Sequence, residues 1–368
     1  MNIDIKMRLK ILHLGTELKW RGAENQIHVL VEGLSGKVNA QFVAYPRKSS
    51  VHKRTWACPT FSYDRFLSIW QLHNYIKQND INIVDAHSAK AHALAIILGV
   101  LNPKLKICIH RHVDSVISKR WITRWKYLNK RVFRYIAVSN CIKNILIEYG
   151  VHENKIKVIK STIDGDRFRK IDRKLSREYW LEKIKLPEDF VLIGNASALT
   201  EQKGYRTLIQ AAYLVKKKYQ KFAILIAGEG KLKEKFVLQT QRLGLEDNIF
   251  FLDFQENIPQ FLGALDILVV PSNNEGLGTV ILEGVYAGCA VIASEVGGIP
   301  EIIHHEKTGL LQAAGDYEKL AYHIEILIQK PEYRRELSEQ ALQFVEKSFS
   351  REKFLNDSLN SYKEMIET

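Results

Sequence analysis

The sequence predicts an α/β protein made of two doubly wound parallel-sheet domains. Short runs rich in Ile, Val and Leu alternate with longer amphipathic segments, and this β–α rhythm occurs twice along the 368 residues. The runs are continuously apolar, which indicates strands buried on both faces, as in parallel sheets. The length independently predicts two domains, each large enough to bury its own core.

The predicted strands fall into two groups along the chain. The first group lies at 9–14, 41–45, 81–86, 105–109, 135–139 and 156–159, and the second at 190–194, 222–227, 249–252, 267–270 and 290–293. The polar stretch from Asp164 to Glu188 separates them. We therefore predict a first domain over 1–170, a second over 171–349, and a C-terminal helix over 350–368 that returns to the first domain. Ligands of open parallel sheets bind outside the carboxyl ends of the strands, so the expected site is the cleft between the domains.

Composition and apolar run lengths exclude several classes of protein. With 46% hydrophobic and 26% charged residues, the chain is neither disordered nor collagen-like. Its four cysteines show no C-x-x-C spacing, so we expect reduced thiols and no disulfide scaffold. The longest apolar stretch, 93–101, is far shorter than the ~20 residues of a membrane span, and 11–14 is too short for a signal-peptide core. We expect a cytoplasmic protein that is not integral to a membrane.

The excess positive charge belongs entirely to the first half. Residues 1–170 contain 30 Lys+Arg and 12 Asp+Glu, a net charge of +18, whereas residues 171–368 contain 24 and 29, a net charge of −5. The two halves are therefore expected to have different partners.

The strongest motif follows the predicted strand at 267–270. A glycine-bearing loop leads into a helix, with Glu275, Gly276, Leu277, Gly278, Thr279 (the predicted N-cap) and Glu283 in sequence. Free N–H groups at a helix start bind phosphate, and glycines allow a ligand close to the backbone. The two carboxylates can accept hydrogen bonds from vicinal hydroxyls, so the motif suits a phosphate flanked by two sugars. A solvated glutamate beside a structural turn is the alternative.

A second loop carries a candidate phosphate ligand. Lys203 follows the strand at 190–194 and precedes an amphipathic helix. Its ammonium group could neutralise a diphosphate, while an ordinary surface lysine is the alternative.

Taken together, the motifs resemble those of glycosyltransferase family 4, and the resemblance covers nearly the whole chain. In the second half it rests on Glu275 with Glu283, on Gln202-Lys203-Gly204, on Ala227-Gly228-Glu229-Gly230 and on Gly297-Gly298-Ile299-Pro300-Glu301. In the first half it rests on Gly22-Ala23-Glu24, on Asp85-Ala86-His87-Ser88-Ala89-Lys90, on Ala137-Val138-Ser139 and on Ile163-Asp164. The family implies retaining, nucleotide-sugar-dependent enzymes of the GT-B fold, in which two Rossmann-like domains face each other across a cleft.

The resemblance also implies roles for individual residues. Glu275 would hold hydroxyls of the donor sugar and take part in catalysis, and Glu283 would hold the ribose of the nucleotide. The backbone of 276–278 and Lys203 would hold the diphosphate, and the Gly22 loop would close over it from the other domain. No metal or cofactor is implied, since GT-B enzymes usually offset the leaving group's charge with helix N-termini and basic side chains.

A catalytic-site histidine is expected after the strand at 105–109. His112 fits best by position, and His110 is the second candidate. Either imidazole could hydrogen-bond the sugar or help with the acceptor proton. A strand-end histidine bonded only to backbone is the structural alternative.

The chain departs from the family pattern at three places. Ala198 stands where the family usually has a second basic ligand of the diphosphate, Arg21 replaces the first glycine of the Gly-Gly loop, and Ser161-Thr162 replaces Asn-Gly. We hypothesise that Arg21 supplies part of the charge lost at Ala198.

The segment 119–134 is strongly basic and interleaved with aromatics. We predict a helix with Trp121 and Trp125 in one stripe and Arg120, Arg124 and Arg131 on an adjacent face. Such a surface suits an anionic membrane, and the alternative is a stripe that packs on its own domain. Nucleic acid would also fit the charge, but the sequence contains no recognisable nucleic-acid-binding motif.

The combined prediction is a retaining hexosyltransferase. It would use a nucleotide diphosphate sugar, with a UDP-sugar favoured, and a lipid-linked or cell-envelope glycan acceptor such as lipopolysaccharide core. Peripheral attachment to the inner face of the plasma membrane is compatible with the charge. Two alternatives remain at this point: a GT-B epimerase or phosphorylase, and a non-catalytic nucleotide-sugar-binding subunit, which the departure at Ala198 keeps open.

Overall fold

The computed structural model describes residues 9–18, 22–64 and 66–367. The chain divides into two compact units. The first unit ends at Ile163 and takes in the C-terminal segment from Arg351, and the second unit runs from Asp164 to Ser350. No helix among the described residues is both long and apolar enough to cross a membrane.

The first unit alternates strands and helices. Its elements are β1 (Lys10–Leu14), α1 (Gly22–Leu34), β2 (Ala40–Pro46), β3 (Thr60–Tyr63), α2 (Ser68–Gln78), β4 (Ile83–Ala86), α3 (Ala89–Leu101), β5 (Lys106–Arg111), α4 (Trp121–Tyr127), β6 (Val132–Ala137), α5 (Asn140–Glu148) and β7 (Ile156–Val158). The second unit begins with α6 (Asp166–Arg169) and α7 (Arg173–Ile184).

The rest of the second unit repeats the same alternation. Its elements are β8 (Val191–Ala196), α8 (Tyr205–Lys216), β9 (Phe222–Ala227), α9 (Lys233–Arg242), β10 (Ile249–Phe251), α10 (Ile258–Gly263), β11 (Ile267–Val270), α11 (Thr279–Tyr286), β12 (Ala290–Ser294), β13 (Leu310–Gln312), α12 (Tyr317–Gln329) and α13 (Pro331–Ser348). The C-terminal helix α14 (Arg351–Glu367) belongs to the first unit.

Each unit contains one parallel sheet with a reversal of strand order near its middle. Within the described residues the orders are β3-β2-β1-β4-β5-β6-β7 and β10-β9-β8-β11-β12-β13, and every strand pair is parallel. The sequence-based fold class of two doubly wound parallel domains is confirmed. Ligands bind such sheets where the strand order reverses, outside the carboxyl ends. These points lie between β1 and β4 in the first unit and between β8 and β11 in the second.

Three local features differ from the sequence-based expectation. The chain enters the second unit at Asp164, not after residue 170, because α6 packs on α10 and α11. The edge strands β3 and β13 were not expected. They are only four and three residues long. β3 has one buried residue among its four, and β13 is buried throughout but too short to stand out as an apolar run.

The helix α14 completes the core of the first unit. Phe354, Leu355, Tyr362 and Met365 pack in one cluster with residues of β1, α1, β4, β5 and β6. A Cβ added at Gly33 of α1 would lie 2.3 Å from a methyl carbon of Leu355, so the two helices meet closely at a glycine. The first unit therefore buries its central strands with help from a segment that follows the second unit in sequence.

Candidate active site

The second unit carries a polar site at its sheet reversal. The loop after β8 and the loop after β11 are tied together by backbone and side-chain hydrogen bonds. Asn273 N–H donates to Gln202 O over 2.8 Å, and the Gln202 side chain donates to Asn274 O over 3.1 Å. Lys203 Nζ donates to Glu275 Oε2 over 2.6 Å. The structure thus brings together two charged residues that are 72 positions apart in sequence.

Glycine is required where these two loops touch. Gly204 has φ +67°, and a Cβ there would lie 1.8 Å from the carbonyl oxygen of Pro271. Only a residue without a side chain allows the Lys203 loop to reach the Glu275 loop at this distance.

The start of α11 lies beside this ion pair. Gly278, with φ +89°, is the N-cap of the eight-residue helix, and Thr279 is its first helical residue. The expectation that Thr279 is the N-cap is wrong, because the left-handed conformation at this position selects glycine. Gly276 and Leu277 are buried in the loop. Backbone N–H groups of a helix start and the adjacent ammonium group form an environment suited to phosphate.

Glu283 lies one turn into α11 and is partly exposed. Surrounding protein desolvates its carboxyl group and raises the pKa to about 7, while Arg167 opposes the shift. The carboxyl group therefore changes charge near neutral pH, which is unusual for glutamate. A group of this kind can accept hydrogen bonds from hydroxyls once it is ionised.

The sequence predicts a lost positive charge at Ala198 and a compensating charge from Arg21, and the structure describes only the first of these residues. Ala198 is exposed on the loop after β8, so no basic side chain extends from that position. Arg21 lies outside the described residues, and its proposed role stays a prediction. Gly22 is the exposed first residue of α1, not part of an extended loop.

The first unit holds a cluster of histidines at its own sheet reversal. Asp85 in β4 is fully buried, and three imidazoles lie around its carboxylate. Its oxygens are 3.1 Å from His110 Nε2, 3.2 Å from His87 Nε2 and 3.5 Å from His13 Nδ1. A fourth partner is Tyr362 of α14, whose hydroxyl donates to Asp85 Oδ2 over 2.5 Å.

Electrostatics keep the Asp85 carboxyl group ionised and the imidazoles of His87 and His112 neutral. Burial alone would raise the pKa of Asp85, but His110 and His87 outweigh burial and hold this pKa well below its usual range. Burial lowers the pKa of His87 to about 4, with Asp85 opposing. Burial also holds the pKa of His112 well below its usual range, and His110 and His87 add to that shift.

The two candidate catalytic histidines occupy different positions in this cluster. His110 lies in β5 against Asp85, whereas His112 lies just beyond β5 and keeps partial exposure. The His87 and His110 rings are 4.4 Å apart, and the His110 and His112 rings are 5.7 Å apart. His112 is thus the more accessible of the two.

The basic aromatic segment forms a shorter helix than the sequence predicts. Helix α4 ends at Tyr127, and Val132 already belongs to β6, because the β-branched and aromatic residues after 131 pair with β5. Trp121 and Trp125 are 78% and 47% exposed, so the alternative in which this stripe packs on its own domain is wrong for both. Arg120 and Arg124 are exposed beside them.

Arg131 does not belong to the surface formed by α4. Its guanidinium group donates to the carbonyl oxygens of Pro103 and Leu105 over 3.1 and 3.0 Å. The expectation that Arg131 extends the basic face is therefore wrong, since carbonyl groups of the loop between α3 and β5 hold its side chain.

Sequence reasoning missed the partners of the candidate histidines. His13, Asp85 and Tyr362 received no role, although His13 and His87 both stand at strand ends next to the point where the strand order reverses. That position was a usable signal. A second missed feature is an exposed apolar group around the start of α2, where Phe66, Leu67 and Trp70 are 99%, 56% and 66% exposed.

Two parallel domains of this strand order, with a lysine–glutamate pair beside a helix start, are the features of a GT-B glycosyltransferase. Comparison with protein families agrees. Residues 11–167 match the model described as Glycosyltransferase Family 4, and residues 176–344 match the model described as Glycosyl transferases group 1. The chain belongs to this glycosyltransferase family and is a transferase of the EC 2.4 class.

One relative matches nearly the whole chain, and another matches about half of it. N-acetyl-alpha-D-glucosaminyl L-malate synthase of Bacillus anthracis is 26% identical over 365 residues, which is 96% of this chain and 92% of that protein. The lipopolysaccharide core biosynthesis glycosyltransferase LpsD of Rhizobium meliloti (strain 1021) is 32% identical over 175 residues, 48% of this chain and 50% of that protein.

A solved structure shares the fold over nearly the full length. The crystal structure of HepE from Anabaena, in complex with UDP and glucose, superimposes with a TM-score of 0.84. It covers 97% of this chain and 100% of its own at 20% sequence identity. The likeness supports the fold assignment.

Proposed function

We propose that this glycosyltransferase moves a hexose from a UDP-sugar to a glycan hydroxyl with retention of anomeric configuration. The observation that carries the proposal is the contact between Lys203 and Glu275 beside the start of α11. This site offers positive charge and backbone N–H groups for a diphosphate and carboxylates for sugar hydroxyls. The choice of uridine is supported by the structurally similar HepE, which was solved with UDP and glucose.

The proposed roles in the second unit follow from the side chains present. In the free protein Lys203 and Glu275 neutralise each other, and a bound diphosphate competes for the ammonium group. Glu275 then accepts hydrogen bonds from hydroxyls of the sugar, and Glu283 accepts them from the ribose. Lys203 and the start of α11 stabilise the charge of the diphosphate without a divalent ion in this unit.

The proposed reaction exchanges one bond at the anomeric carbon. The acceptor hydroxyl oxygen bonds to that carbon as the bond from the carbon to the diphosphate oxygen breaks. The electron pair of the broken bond stays with the nucleoside diphosphate. The hydroxyl proton passes to the leaving diphosphate or to His112, whose neutral imidazole can take it.

We propose a glycolipid or cell-envelope glycan acceptor, used at the inner face of the plasma membrane. The exposed Trp121 and Trp125, next to Arg120 and Arg124, combine interfacial aromatics with positive charge. LpsD, which matches half of the chain, is named for lipopolysaccharide core biosynthesis and supports this acceptor class.

The donor site is tested with two substitutions and two matched controls. Lys203→Met and Glu275→Gln should each lower the transfer rate with UDP-hexoses at least tenfold and reduce the thermal stabilisation that the donor gives. Lys221→Met and Glu346→Gln also break ion pairs in the second unit, with Asp189 and Arg169 respectively, and should leave both readouts unchanged.

Mass spectrometry of the product and proton NMR of its anomeric centre complete the test. An unchanged rate in both site variants would contradict the assignment of the donor site. A product of inverted configuration would contradict retention. Stabilisation by GDP- or ADP-sugars but not by UDP-sugars would replace uridine with the other base.

The membrane surface has a separate test. Trp121→Ala combined with Trp125→Ala should abolish sedimentation with phosphatidylglycerol vesicles at low salt. Phe254→Ala combined with Tyr322→Ala removes two aromatics of the second unit that are 60% and 53% exposed, and should leave sedimentation unchanged. If the wild-type protein does not sediment with these vesicles, or if both double variants behave alike, α4 is not the membrane-binding element.

A further inference from the structure

Three imidazoles converge at the carboxyl ends of β4 and β5. His87 directly follows β4, His110 lies within β5, and His112 lies just beyond it. One ligand nitrogen from each ring lies within 4.8 Å of the other two. Two of these residues, His87 and His110, are at least nine-tenths buried.

The ring nitrogens of this group are poorly satisfied. Among the described residues, no aligned hydrogen-bond partner exists for either nitrogen of His87, for Nε2 of His110 or for Nε2 of His112. The Asp85 oxygens lie within 3.2 Å of His87 and His110, but outside good hydrogen-bond alignment. A buried polar group without a partner costs about 1–3 kcal/mol. Several such groups at one point indicate that a further species completes the arrangement.

A small cavity adjoins the three rings. Its volume is about 10 Å³, and its lining includes His87, His110 and His112 together with Gln26 and Phe354. This is close to the smallest volume that holds one water-sized species. The cavity therefore has room for a single atom or ion in front of three nitrogen donors, and not for a sugar or a phosphate.

We propose that His87, His110 and His112 bind one Zn²⁺ ion in the first unit. Imidazole nitrogen is a preferred ligand of zinc, and three histidines with one open position form a known type of zinc coordination. Zinc–nitrogen bonds of about 2.0–2.1 Å require the rings to approach one another by an amount on the order of an ångström. Rotations of the three side chains into the cavity supply that movement.

Asp85 and Tyr362 would orient the zinc-binding histidines without contacting the ion. Metal-binding histidines commonly present their second ring nitrogen to a carboxylate, which fixes the orientation of the ring. Asp85 stands at this position for both rings, with its oxygens 3.2 Å from Nε2 of His87 and 3.1 Å from Nε2 of His110, so these two residues would bind zinc through Nδ1. The Tyr362 hydroxyl holds Asp85 in turn, so α14 becomes part of the outer shell of the site.

The inference goes beyond the proposed function and does not rest on it. The donor residues are in the second unit, and metal binding can be measured without donor or acceptor. Each imidazole bonds zinc through one nitrogen, and the other nitrogen of His112 then carries a proton and can donate a hydrogen bond to a substrate. In the zinc-bound protein the acceptor proton therefore passes to the leaving diphosphate, the other route given above. The sequence-based expectation of no metal concerned the charge of the leaving group, which has no bearing on a histidine site in the first unit.

Titration with Co²⁺ tests the proposal directly. The tag-free full-length chain is stripped with a chelator and titrated anaerobically with Co²⁺. We expect visible ligand-field absorption typical of four-coordinate Co²⁺, saturating at one equivalent and disappearing when Zn²⁺ is added. Mg²⁺ should not displace the Co²⁺, because it prefers oxygen ligands.

Single substitutions separate this site from adventitious binding. His87→Gln and His112→Gln should each lower the Co²⁺ affinity at least about tenfold, and Asp85→Asn by roughly 10–100-fold. His152→Gln removes an exposed imidazole of the same unit and should change nothing. Circular dichroism checks that each variant is folded, and a rise in wild-type melting temperature with Zn²⁺ provides a readout that needs no variant.

Three results would overturn the proposal. One is a wild-type protein that gives no ligand-field bands and no zinc-dependent stabilisation, as expected if a water molecule fills the cavity. Another is binding that survives both His87→Gln and His112→Gln in folded protein. The third is an equal loss in His152→Gln, which would indicate surface binding only.

Discussion

Replacing Glu283 with glutamine should stabilise the second unit at alkaline pH and have much less effect at acidic pH. The partly exposed Glu283 carboxyl group sits in α11 with its pKa raised from 4.5 to about 7, chiefly because surrounding protein desolvates it. Glutamine keeps the shape of the side chain and removes the charge. The substitution therefore isolates the cost of ionising this one group.

The direction of this pH dependence follows from the number of protons that the folded and unfolded states bind. The folded state holds the proton up to about pH 7, whereas the unfolded chain releases it near pH 4.5. The unfolded state thus binds fewer protons between these values, and the free energy of unfolding falls as pH rises through this window. Above pH 7 the loss is complete, and below pH 4.5 it is absent.

The size of the pKa shift at Glu283 determines how much the substitution stabilises the protein. One pKa unit corresponds to about 1.4 kcal/mol, so the shift at Glu283 corresponds to about 3 kcal/mol at pH 8 and about 1 kcal/mol at pH 5. For a unit of this size, 1 kcal/mol moves the melting temperature by about 2–4 °C. Glu283→Gln should then raise the melting temperature of the second unit by about 6–12 °C at pH 8 and by about 2–4 °C at pH 5.

Scanning calorimetry at the two pH values measures this difference. Glu295→Gln, at an exposed carboxylate of the same unit, should give the same small change at both. A Glu283→Gln protein whose melting temperature follows the wild-type value in parallel from pH 5 to pH 8 would refute the reasoning. Donor affinity gives an independent readout, since a carboxylate that accepts ribose hydroxyls must be ionised and the substitution should weaken UDP binding.

Two further predictions concern contacts that stabilise the fold, one within each unit. Gly204→Ala should destabilise the second unit by at least about 2 kcal/mol, because φ is +67° and the new Cβ would meet Pro271 O at 1.8 Å. Gly244→Ala, with φ +62° and open space, should cost only about 1 kcal/mol in the same urea titration, and equal losses would contradict the contact argument. Tyr362→Phe should lower the unfolding free energy of the first unit by about 2 kcal/mol, since Asp85 loses a hydrogen bond to a charged acceptor. A change below about 0.5 kcal/mol, measured by tryptophan fluorescence in urea, would show that this bond contributes little.

The sequence predicted those strands that are buried on both faces. β9 and β11 lie at the predicted bounds, because continuous apolar runs such as Phe222–Ala227 have few other interpretations. The prediction missed β3 because an edge strand needs no apolar run, and only one of the four residues of β3 is buried. The prediction that the helix continues beyond Tyr127 was wrong, because the residues from Val132 onward pair with β5 as a strand in spite of their helical spacing.

In the candidate sites, too, the sequence indicated residues with a local signal and missed contacts between residues that are distant in sequence. Lys203, Glu275 and the glycines were singled out because each stands in a loop after a strand, where ligands of such sheets bind, and the structure brings Lys203 and Glu275 into contact. The Asp85–Tyr362 contact joins residues 277 positions apart, and no local pattern marks it. Long-range partners of this kind follow from how α14 packs, which depends on the whole first unit.

The packing of α14 has a consequence for the order of events during synthesis. When the ribosome has released residues 1–163, the strands of the first unit exist, but Leu355, Tyr362 and Met365 have not been made. The apolar surface that these side chains cover stays open, and Asp85 lacks its tyrosine, until the entire second unit has emerged. The nascent first unit therefore exposes apolar surface over that interval, which favours chaperone binding, and a chain cut short before residue 351 leaves the core of the first unit open.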